Sequence, residues 1–295
     1  MSKNKQGDSQ DTANYRPISL LSTAYKLLMR LIQIRISTHM DHLISERQWG
    51  FRKARSTGAP IHILRRIQEI FEGTTTPLHM LFLDWKQAFD KLTHTGLHHA
   101  LRRFGLPKSY LDMMDNCYAE PSFQVKDQGR NSQKHRQHIG IRQGCPLSPY
   151  LFIIFMTVLM HDVHEDVKAE YGIIPHTHTT RDPLADIQYA DDTLLLSRST
   201  KLMKHMLHSI QKRAKTYGMI LNMEKTIMVT MNKCDTEEHT VDFTDGTPVK
   251  RVDTATYLGI TCNHTATQTP NLNLRLGKAS EQFNKLHLFW RHTQI

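Results

Sequence analysis

Two aspartates interrupt an otherwise apolar segment, and no other feature of the sequence restricts the fold as much. Asp191 and Asp192 lie in the middle of IQYADDTLLL (187–196). This pattern predicts two short strands that meet at a tight turn carrying both carboxylates. A third aspartate, Asp84, follows the apolar run LHMLFL (78–83), which predicts a buried strand. Because a carboxylate at the buried end of a strand is costly unless a positive group meets it, we expect a cation there.

The three aspartates are candidate metal ligands. Carboxylates brought together repel one another, and the pKa of at least one of them rises unless a divalent cation binds. Oxygen ligands with open coordination positions suit Mg²⁺, which takes substrate phosphates as its remaining ligands. Two such ions about 3.5–4 Å apart can activate an attacking hydroxyl and stabilise the leaving oxygen of a phosphoryl transfer. The alternative is a solvated hairpin tip, which the apolar arms on both sides disfavour.

The charge balance favours a protein that binds nucleic acid. The chain of 295 residues has 38 Lys plus Arg against 28 Asp plus Glu, a formal net charge of +10. A surface this basic indicates a polyanionic partner, and nucleic acid is the commonest one. Net charge alone also fits a basic soluble protein with no such partner.

The sequence argues against a disulfide scaffold, a zinc site and a membrane protein. The four cysteines show no CxxC spacing. Residues 1–14 are polar, unlike a signal peptide, and the longest apolar run, 151–160, is about half of the roughly 20 residues that span a membrane. Two histidine pairs, His161 with His164 and His176 with His178, have spacings that metal sites use. In a chain with 19 histidines, such pairs are expected by chance. We expect a soluble intracellular protein, nuclear or cytoplasmic.

Hydrophobic periodicity predicts a mixed α/β chain with an antiparallel sheet and a flexible N-terminus at 1–13. A helix from Thr23 to about Leu43 is expected to bury Leu28, Ile32, Ile36 and Met40, which recur every four residues. Further helices are predicted at 96–104, 146–163, 200–217 and 271–289. Further strands are predicted at 122–127, 137–141, 220–221, 226–231 and 254–260.

Seven segments in a fixed order resemble the sequence boxes of one polymerase family. The central two are FLDWKQAFD (82–90) and YADD (189–192). The others are NYRPISLL (14–21), QWGFRKARST (48–57), RQGCPLSP (142–149), GMILNMEKT (218–226) and YLGI (257–260). Over about residues 14–290 the chain resembles the reverse transcriptases of LINE-type, non-LTR retrotransposons.

This resemblance implies an α+β right-hand polymerase. Fingers are expected from 14–76 and 97–147, and a palm from 77–96 and 148–262. The palm is expected to be an antiparallel sheet with helices packed behind it and with Asp84 next to Asp191. A truncated thumb is expected from 263–295. The implied partners are an RNA or DNA template with its primer and deoxynucleoside triphosphates, with no membrane involved.

The resemblance also implies roles for the catalytic residues. Asp84 and Asp191 become the main ligands of two Mg²⁺ ions, or of Mn²⁺ in their place, with Asp192 as the third carboxylate. The backbone carbonyl of Trp85 is a further implied metal ligand. Lys225 matches a lysine that protonates the departing pyrophosphate, although an ordinary lysine at the end of a strand fits the sequence almost as well.

Substrate contacts are implied for a second group of residues. Phe89 falls at the position that excludes a 2′-hydroxyl, with a plain core residue as the alternative. The triphosphate is expected to contact one or more of three basic side chains, Arg52, Lys53 and Arg55. The sequence does not decide which of the three makes the contact. The nucleotide is further expected at Gln143, Gly144 and Tyr189, and the primer end at Tyr257, Leu258 and Gly259. Gly144 lacks a Cβ, so that a nucleotide or a strand can approach its backbone closely.

Some features depart from the family pattern. Ala54 stands where relatives usually have glycine, and Gly58-Ala59-Pro60 replace an acidic or amide residue. No endonuclease precedes the polymerase boxes, and the last residues predict only a first thumb helix, so we expect a fragment or a decayed copy.

Two other hypotheses are a catalytically inactive nucleic-acid-binding remnant and a viral RNA-dependent RNA polymerase. Phe89 and the box RQGCPLSP speak against the viral polymerase.

Overall fold

The computed structural model describes residues 2–4, 15–127, 129–172, 184–233, 240–265 and 269–292. His176 and His178 therefore lie outside the described residues. The helices are α1 (Thr23–Met40), α2 (Gly58–Glu72), α3 (Ala88–Lys91), α4 (His94–Phe104), α5 (Lys108–Tyr118), α6 (Ser148–Tyr171), α7 (Thr200–Thr216) and α8 (Thr269–His292). No helix in these ranges is both long enough and apolar enough to cross a membrane.

The strands form one central sheet and several two-stranded pairs. In chain order they are β1 (Ser2–Asn4), β2 (Tyr15–Pro17), β3 (Leu78–Leu83), β4 (Ser122–Phe123), β5 (Lys126–Asp127), β6 (Arg130–Asn131), β7 (His135–Arg136), β8 (Leu184–Tyr189), β9 (Asp192–Ser197), β10 (Ile227–Met231), β11 (Lys250–Arg251), β12 (Thr254–Tyr257) and β13 (Ile260–Asn263). β1 pairs with β2, so the described part of the predicted flexible N-terminus is a strand.

The central sheet has the strand order β11-β10-β3-β9-β8. Its pairs are antiparallel, as predicted, except that the short edge strand β11 runs parallel to β10. β3 lies in the middle and is buried along its whole length. A strand covered on both faces reads as a continuous apolar run, which explains LHMLFL.

The two faces of β3 contact two different apolar layers. Leu81 and Leu83 pack with α6 and α7 on one face, where we predicted supporting helices. Met80 and Phe82 pack on the other face with α2 and with the β12–β13 hairpin. Because successive side chains of a strand point to opposite faces, one strand joins both cores.

Several predicted elements differ in the structure. α1 buries Met29 in place of Leu28, which is 51% exposed, so its apolar face is rotated from the predicted one. Residues 137–141 form no strand and contribute only a single bridge from Ile139 to Thr93, whereas the preceding residues form β7, which pairs with β4. Residues 220–221 contribute a single bridge from Leu221 to Trp85. The predicted strand 254–260 is a hairpin of two strands. α6 continues to Tyr171, since buried Val163 and Val167 extend its apolar side.

Candidate active site

The Asp-Asp pair lies at the tip of the β8–β9 hairpin. Tyr189 pairs with Asp192, which leaves Ala190 and Asp191 as the two turn residues. Ala190 adopts a φ of 57°, in the left-handed region that residues with a Cβ rarely enter. This conformation decides the direction in which the following carboxylates leave the turn.

Asp84 lies beside this turn. Leu83, the last residue of β3, pairs with Thr193, so the antiparallel register brings the next residue, Asp84, level with Asp192. Contacts from the turn before β10 hold Asp84: its N–H donates to Thr226 Oγ1 (3.3 Å), and its carbonyl accepts from Asn222 N–H (2.7 Å). The same turn carries Lys225, whose side chain is exposed.

The three carboxylates interact electrostatically. Solvent reaches Asp192, yet partial desolvation by the surrounding protein raises its pKa to about 6, and repulsion from Asp191 and Asp84 adds to the rise. In the described part of the chain, no set of three or more His, Cys, Asp or Glu side chains is arranged to hold a metal ion by itself. Mg²⁺ keeps several waters and substrate oxygens as ligands, so converging carboxylates without a closed cage fit this ion.

The residues that precede α2, 47–57, carry Arg47, Arg52, Lys53 and Arg55 and are called here the basic loop. A segment of this loop packs against the turn. Gln48 is fully buried, and its Oε1 accepts from the N–H groups of Ala190 (2.7 Å) and Gly50 (2.8 Å). Its Nε2 donates to the Ala190 carbonyl (3.2 Å). We did not predict a role for Gln48, although its place in the box QWGFRKARST was a signal that the segment mattered.

A buried charged group lies behind the hairpin. Asp186 in β8 is fully buried and contacts Arg47 Nη1 (3.3 Å), His164 Nε2 (2.8 Å) and Gln188 Nε2 (2.6 Å). Burial alone would raise the pKa of Asp186, but these partners outweigh burial and lower it. His164 is thus a partner of Asp186, and His161 is exposed on the same helix.

The three candidate triphosphate ligands have different environments. The Arg52 side chain is only 4% exposed, and its guanidinium donates to the Asp41 carboxylate (2.9 Å) and to the carbonyls of Ser45 and Gln48. This geometry disagrees with the predicted contact between Arg52 and a triphosphate, because its donors are directed into the protein.

Lys53 and Arg55 remain accessible for a phosphate. Lys53 is exposed, and Arg55 is half-buried over the Trp49 ring, 4.9 Å from the ring centroid. Burial, with Arg52 nearby, lowers the pKa of Arg55. Arg55 also donates to the Glu46 carbonyl (3.0 Å). A phosphate contact at Lys53 and Arg55 stays a prediction.

Two of the predicted nucleotide contacts, Phe89 and Gln143, lie at α3. The Phe89 ring stacks on Phe152 (4.7 Å between centroids) and is met edge-on by Phe51 (6.4 Å). Gln143 Nε2 donates to both oxygens of Asp90 (3.0 Å each). A Cβ on Gly144 would come within 2.7 Å of the Ser19 carbonyl, so the close neighbour is the chain itself. Contacts of a nucleotide with Phe89, Gln143, Gly144 and half-buried Tyr189 stay predictions.

The segment predicted to hold the primer is the turn of the β12–β13 hairpin. Leu258 and Gly259 both have positive φ, 47° and 82°, the conformation of a two-residue type I′ turn. Tyr257 is buried and donates from its hydroxyl to the Ile187 carbonyl (3.4 Å). Burial raises the pKa of Tyr257 well above its ordinary value, and the negative charge of Asp192 adds to the rise.

Trp85 follows Asp84 and lies in the core. Its indole Nε1 is buried and has no hydrogen-bond partner within the described residues. The implied metal contact of the Trp85 carbonyl stays a prediction.

Comparison with known proteins shows the family to which the chain belongs. Residues 3–262 match the family described as reverse transcriptase (RNA-dependent DNA polymerase). The chain is 27% identical over 289 residues to the probable RNA-directed DNA polymerase from transposon BS of Drosophila melanogaster, covering 92% of this chain and 30% of that protein. It is 29% identical over 229 residues to the RNA-directed DNA polymerase from mobile element jockey of the same species, covering 75% and 24%. The chain thus spans less than a third of the length of these relatives.

Solved structures support the fold. A telomerase from Candida tropicalis, in complex with a fragment of telomeric RNA, superposes with a TM-score of 0.53 at 16% identity, covering 82% of this chain and 38% of the telomerase. A telomerase from Candida albicans gives 0.52 at 15% identity, covering 83% and 37%. The predicted α+β polymerase fold is confirmed, whereas the boundaries of fingers, palm and thumb stay predictions. From its sequence boxes, its central sheet and its family match, the chain belongs to the reverse transcriptases, with relatives among the polymerases of non-LTR retrotransposons.

Proposed function

We propose that this chain is the catalytic core of a retroelement polymerase that adds deoxynucleotides to a primer 3′-hydroxyl on an RNA template. The observation that carries the proposal is the convergence of Asp84, Asp191 and Asp192 at the ends of neighbouring strands. Membership of the reverse transcriptase family supports the same reaction. Such a protein acts wherever it meets template and nucleotides, in the nucleus or the cytoplasm.

Reverse transcriptases use divalent metal ions, and the donors of this chain fit two Mg²⁺ ions, with Mn²⁺ as a substitute. Asp84 and Asp191 would hold them, with Asp192 and the carbonyl of Trp85 as further ligands. When bound, such ions favour the ionised primer hydroxyl and stabilise negative charge on the leaving oxygen. Charge neutralisation also explains why a cluster that raises the pKa of Asp192 is tolerated in the protein.

The reaction forms one bond and breaks one bond. The primer 3′-hydroxyl gives its proton to solvent water, its oxygen bonds to the α-phosphorus of the incoming nucleotide, and the bond from that phosphorus to the bridging oxygen breaks, so that pyrophosphate leaves. Lys53 and Arg55 bind the triphosphate, because cationic donors match phosphate oxygens. Lys225, on the turn that holds Asp84, donates a proton to the departing pyrophosphate. The Leu258–Gly259 turn holds the primer end beside Asp192. Most of the acceleration comes from positioning and charge stabilisation.

Phe89 selects the sugar in this proposal. Its ring is packed against Phe152 and Phe51, so it is held in one orientation and would collide with a 2′-hydroxyl. The box in which it lies contains Asp84 five positions earlier, at the end of β3.

Primer extension on an RNA template, with Mg²⁺ or Mn²⁺ and with either deoxy- or ribonucleotides, tests the proposal. We expect extension with deoxynucleotides. Phe89→Ala should raise ribonucleotide use relative to deoxynucleotide use by about tenfold, the scale at which steric pockets discriminate. Phe123→Ala, which truncates an exposed ring in β4, is the control. Salt-sensitive nucleic-acid binding without extension would indicate an inactive remnant, and efficient ribonucleotide incorporation by the unmodified chain would indicate an RNA polymerase.

A further inference from the structure

Gln48 bonds both backbone polar groups of Ala190. This is the first residue of the Ala190–Asp191 turn between β8 and β9, called here the catalytic turn. Its Oε1 accepts from Ala190 N–H (2.7 Å) and its Nε2 donates to Ala190 C=O (3.2 Å). An amide is the neutral side chain that offers an acceptor and two donors at one end, so it can match an N–H and a C=O at the same time. Its remaining polar contacts also stay inside the protein, with Gly50 N–H (2.8 Å) and Gln188 Oε1 (3.4 Å).

These bonds act on a strained residue. Ala190 has a φ of 57°. This conformation costs a residue with a Cβ of the order of 1 kcal/mol or more, so it persists only where the surroundings offset the cost. Asp191 and Asp192 follow directly, so the direction of both carboxylates depends on this one backbone conformation.

The backbone on both sides of Gln48 is fixed to β8. Trp49 N–H donates to the Gln188 carbonyl (2.8 Å), and Gln188 N–H donates to the Arg47 carbonyl (2.9 Å). Gly50 lies so close to the turn that a Cβ on it would come within 2.3 Å of Ala190 N. The Gln48 side chain is therefore held in one place before it meets the turn.

We propose that Gln48 is a positioning residue that holds the Ala190–Asp191 turn in its left-handed conformation and so sets the directions of Asp191 and Asp192 for metal binding. The inference rests on the proposed polymerase function and extends it to a residue of the basic loop. Because Gln48 lies five positions before Lys53 in this loop, it also joins the triphosphate-binding segment to the metal site.

Amide hydrogen exchange at Ala190 tests the bond directly and needs no activity. Gln48→Met keeps the length of the side chain but removes its acceptor and donor, whereas Gln48→Glu keeps acceptor oxygens for the two N–H groups. We expect exchange at Ala190 to accelerate by about tenfold or more in Gln48→Met and to stay slow in Gln48→Glu. Gln68→Met is the matched control, since Gln68 is also buried and donates to a backbone carbonyl, that of Asn263 (3.1 Å), outside the catalytic turn. Equal exchange in Gln48→Met and the unmodified chain overturns the inference.

Metal and rate measurements test the consequence. Mn²⁺ binding to the protein without nucleic acid should weaken by about tenfold in Gln48→Met and remain unchanged in Gln68→Met. In primer extension, Gln48→Met should need more Mg²⁺ for half-maximal rate and should lower kcat per folded molecule, with KM for the template–primer unchanged. Unchanged Mn²⁺ and Mg²⁺ dependence in Gln48→Met would overturn the positioning role. If the unmodified chain fails to extend primers, the proposed function fails, while exchange at Ala190 still decides whether Gln48 holds the turn.

Discussion

Arg52 and Arg55 lie three positions apart in the same basic loop, yet the structure gives their guanidinium groups different surroundings. Arg52 bonds the Asp41 carboxylate and backbone carbonyls and is almost fully buried. Arg55 lies over Trp49 and remains half-buried. The sequence alone could not separate the two, because residue type and box membership are the same and only burial differs. At this scale, the guanidinium of Arg52 bonds groups inside the protein, whereas that of Arg55 stays partly accessible to solvent.

Substitution by lysine should separate these roles. Arg52→Lys is expected to lower the free energy of unfolding by about 3 kcal/mol, because a lysine cannot replace the forked contacts and leaves Asp41 partly unpaired. Arg55→Lys should leave that free energy nearly unchanged and raise KM for the deoxynucleotide. Urea unfolding and steady-state extension measure the two effects. Equal loss of stability in both variants would contradict the assignment.

The raised pKa of Asp192 predicts a pH-dependent stability. The folded-state pKa is about 6, against about 3.9 for an aspartate in an unfolded chain. The stabilisation by the bound proton is therefore complete below about pH 4 and is lost as pH rises through 6. Asp192→Asn, which stays neutral, should raise Tm at neutral pH in the absence of divalent ions and give no gain below about pH 4. The same gain at both pH values would contradict the pKa shift.

At the scale of elements, the sequence predicted the helices and strands whose pattern of apolar residues matches their burial in the fold. β3 is covered on both faces and reads as an unbroken apolar run, and α7 occupies almost the whole of its predicted range, with Ser199 as its cap. The apolar periodicity of α1 predicted the wrong buried face, because this helix carries more apolar residues than it buries, including exposed Leu27 and Leu31. From its residue pattern alone, the β12–β13 hairpin reads as one strand, since Leu258 is an unusual residue for a turn that requires positive φ.

The basic loop contains a second turn with an unfavourable residue. Ala54 is exposed and has a φ of 59°, in the left-handed region that glycine enters without a steric penalty. Ala54→Gly should therefore raise the free energy of unfolding by up to about 1 kcal/mol, whereas the same change at exposed Ala169 inside α6 should lower it by about 1 kcal/mol. Urea unfolding of both variants measures the difference. A loss of stability in Ala54→Gly would show that the loop does not strain this residue.

For the whole molecule, the order of the sequence boxes predicted the fold. The strand order of the central sheet explains how boxes that are far apart in the sequence meet at one site. The central position of β3 between β9 and β10 brings Asp84, the Asp191–Asp192 turn and the Lys225 turn to one end of the sheet. Contacts across the chain were not predictable in the same way. Gln48 meets Ala190 across 142 positions through side-chain hydrogen bonds that leave no periodic trace.

The central claim is that carboxylates from β3 and from the β8–β9 turn form one metal-binding centre for nucleotide addition. Single-turnover primer extension with Asp191→Asn tests it most directly, with template–primer affinity measured in parallel. Asp253→Asn, which alters an aspartate whose side chain is largely exposed, is the control. We predict that Asp191→Asn lowers the extension rate by about a thousandfold or more and leaves template–primer affinity and the Asp253→Asn rate near those of the unmodified chain. Extension by Asp191→Asn at the unmodified rate would contradict the account.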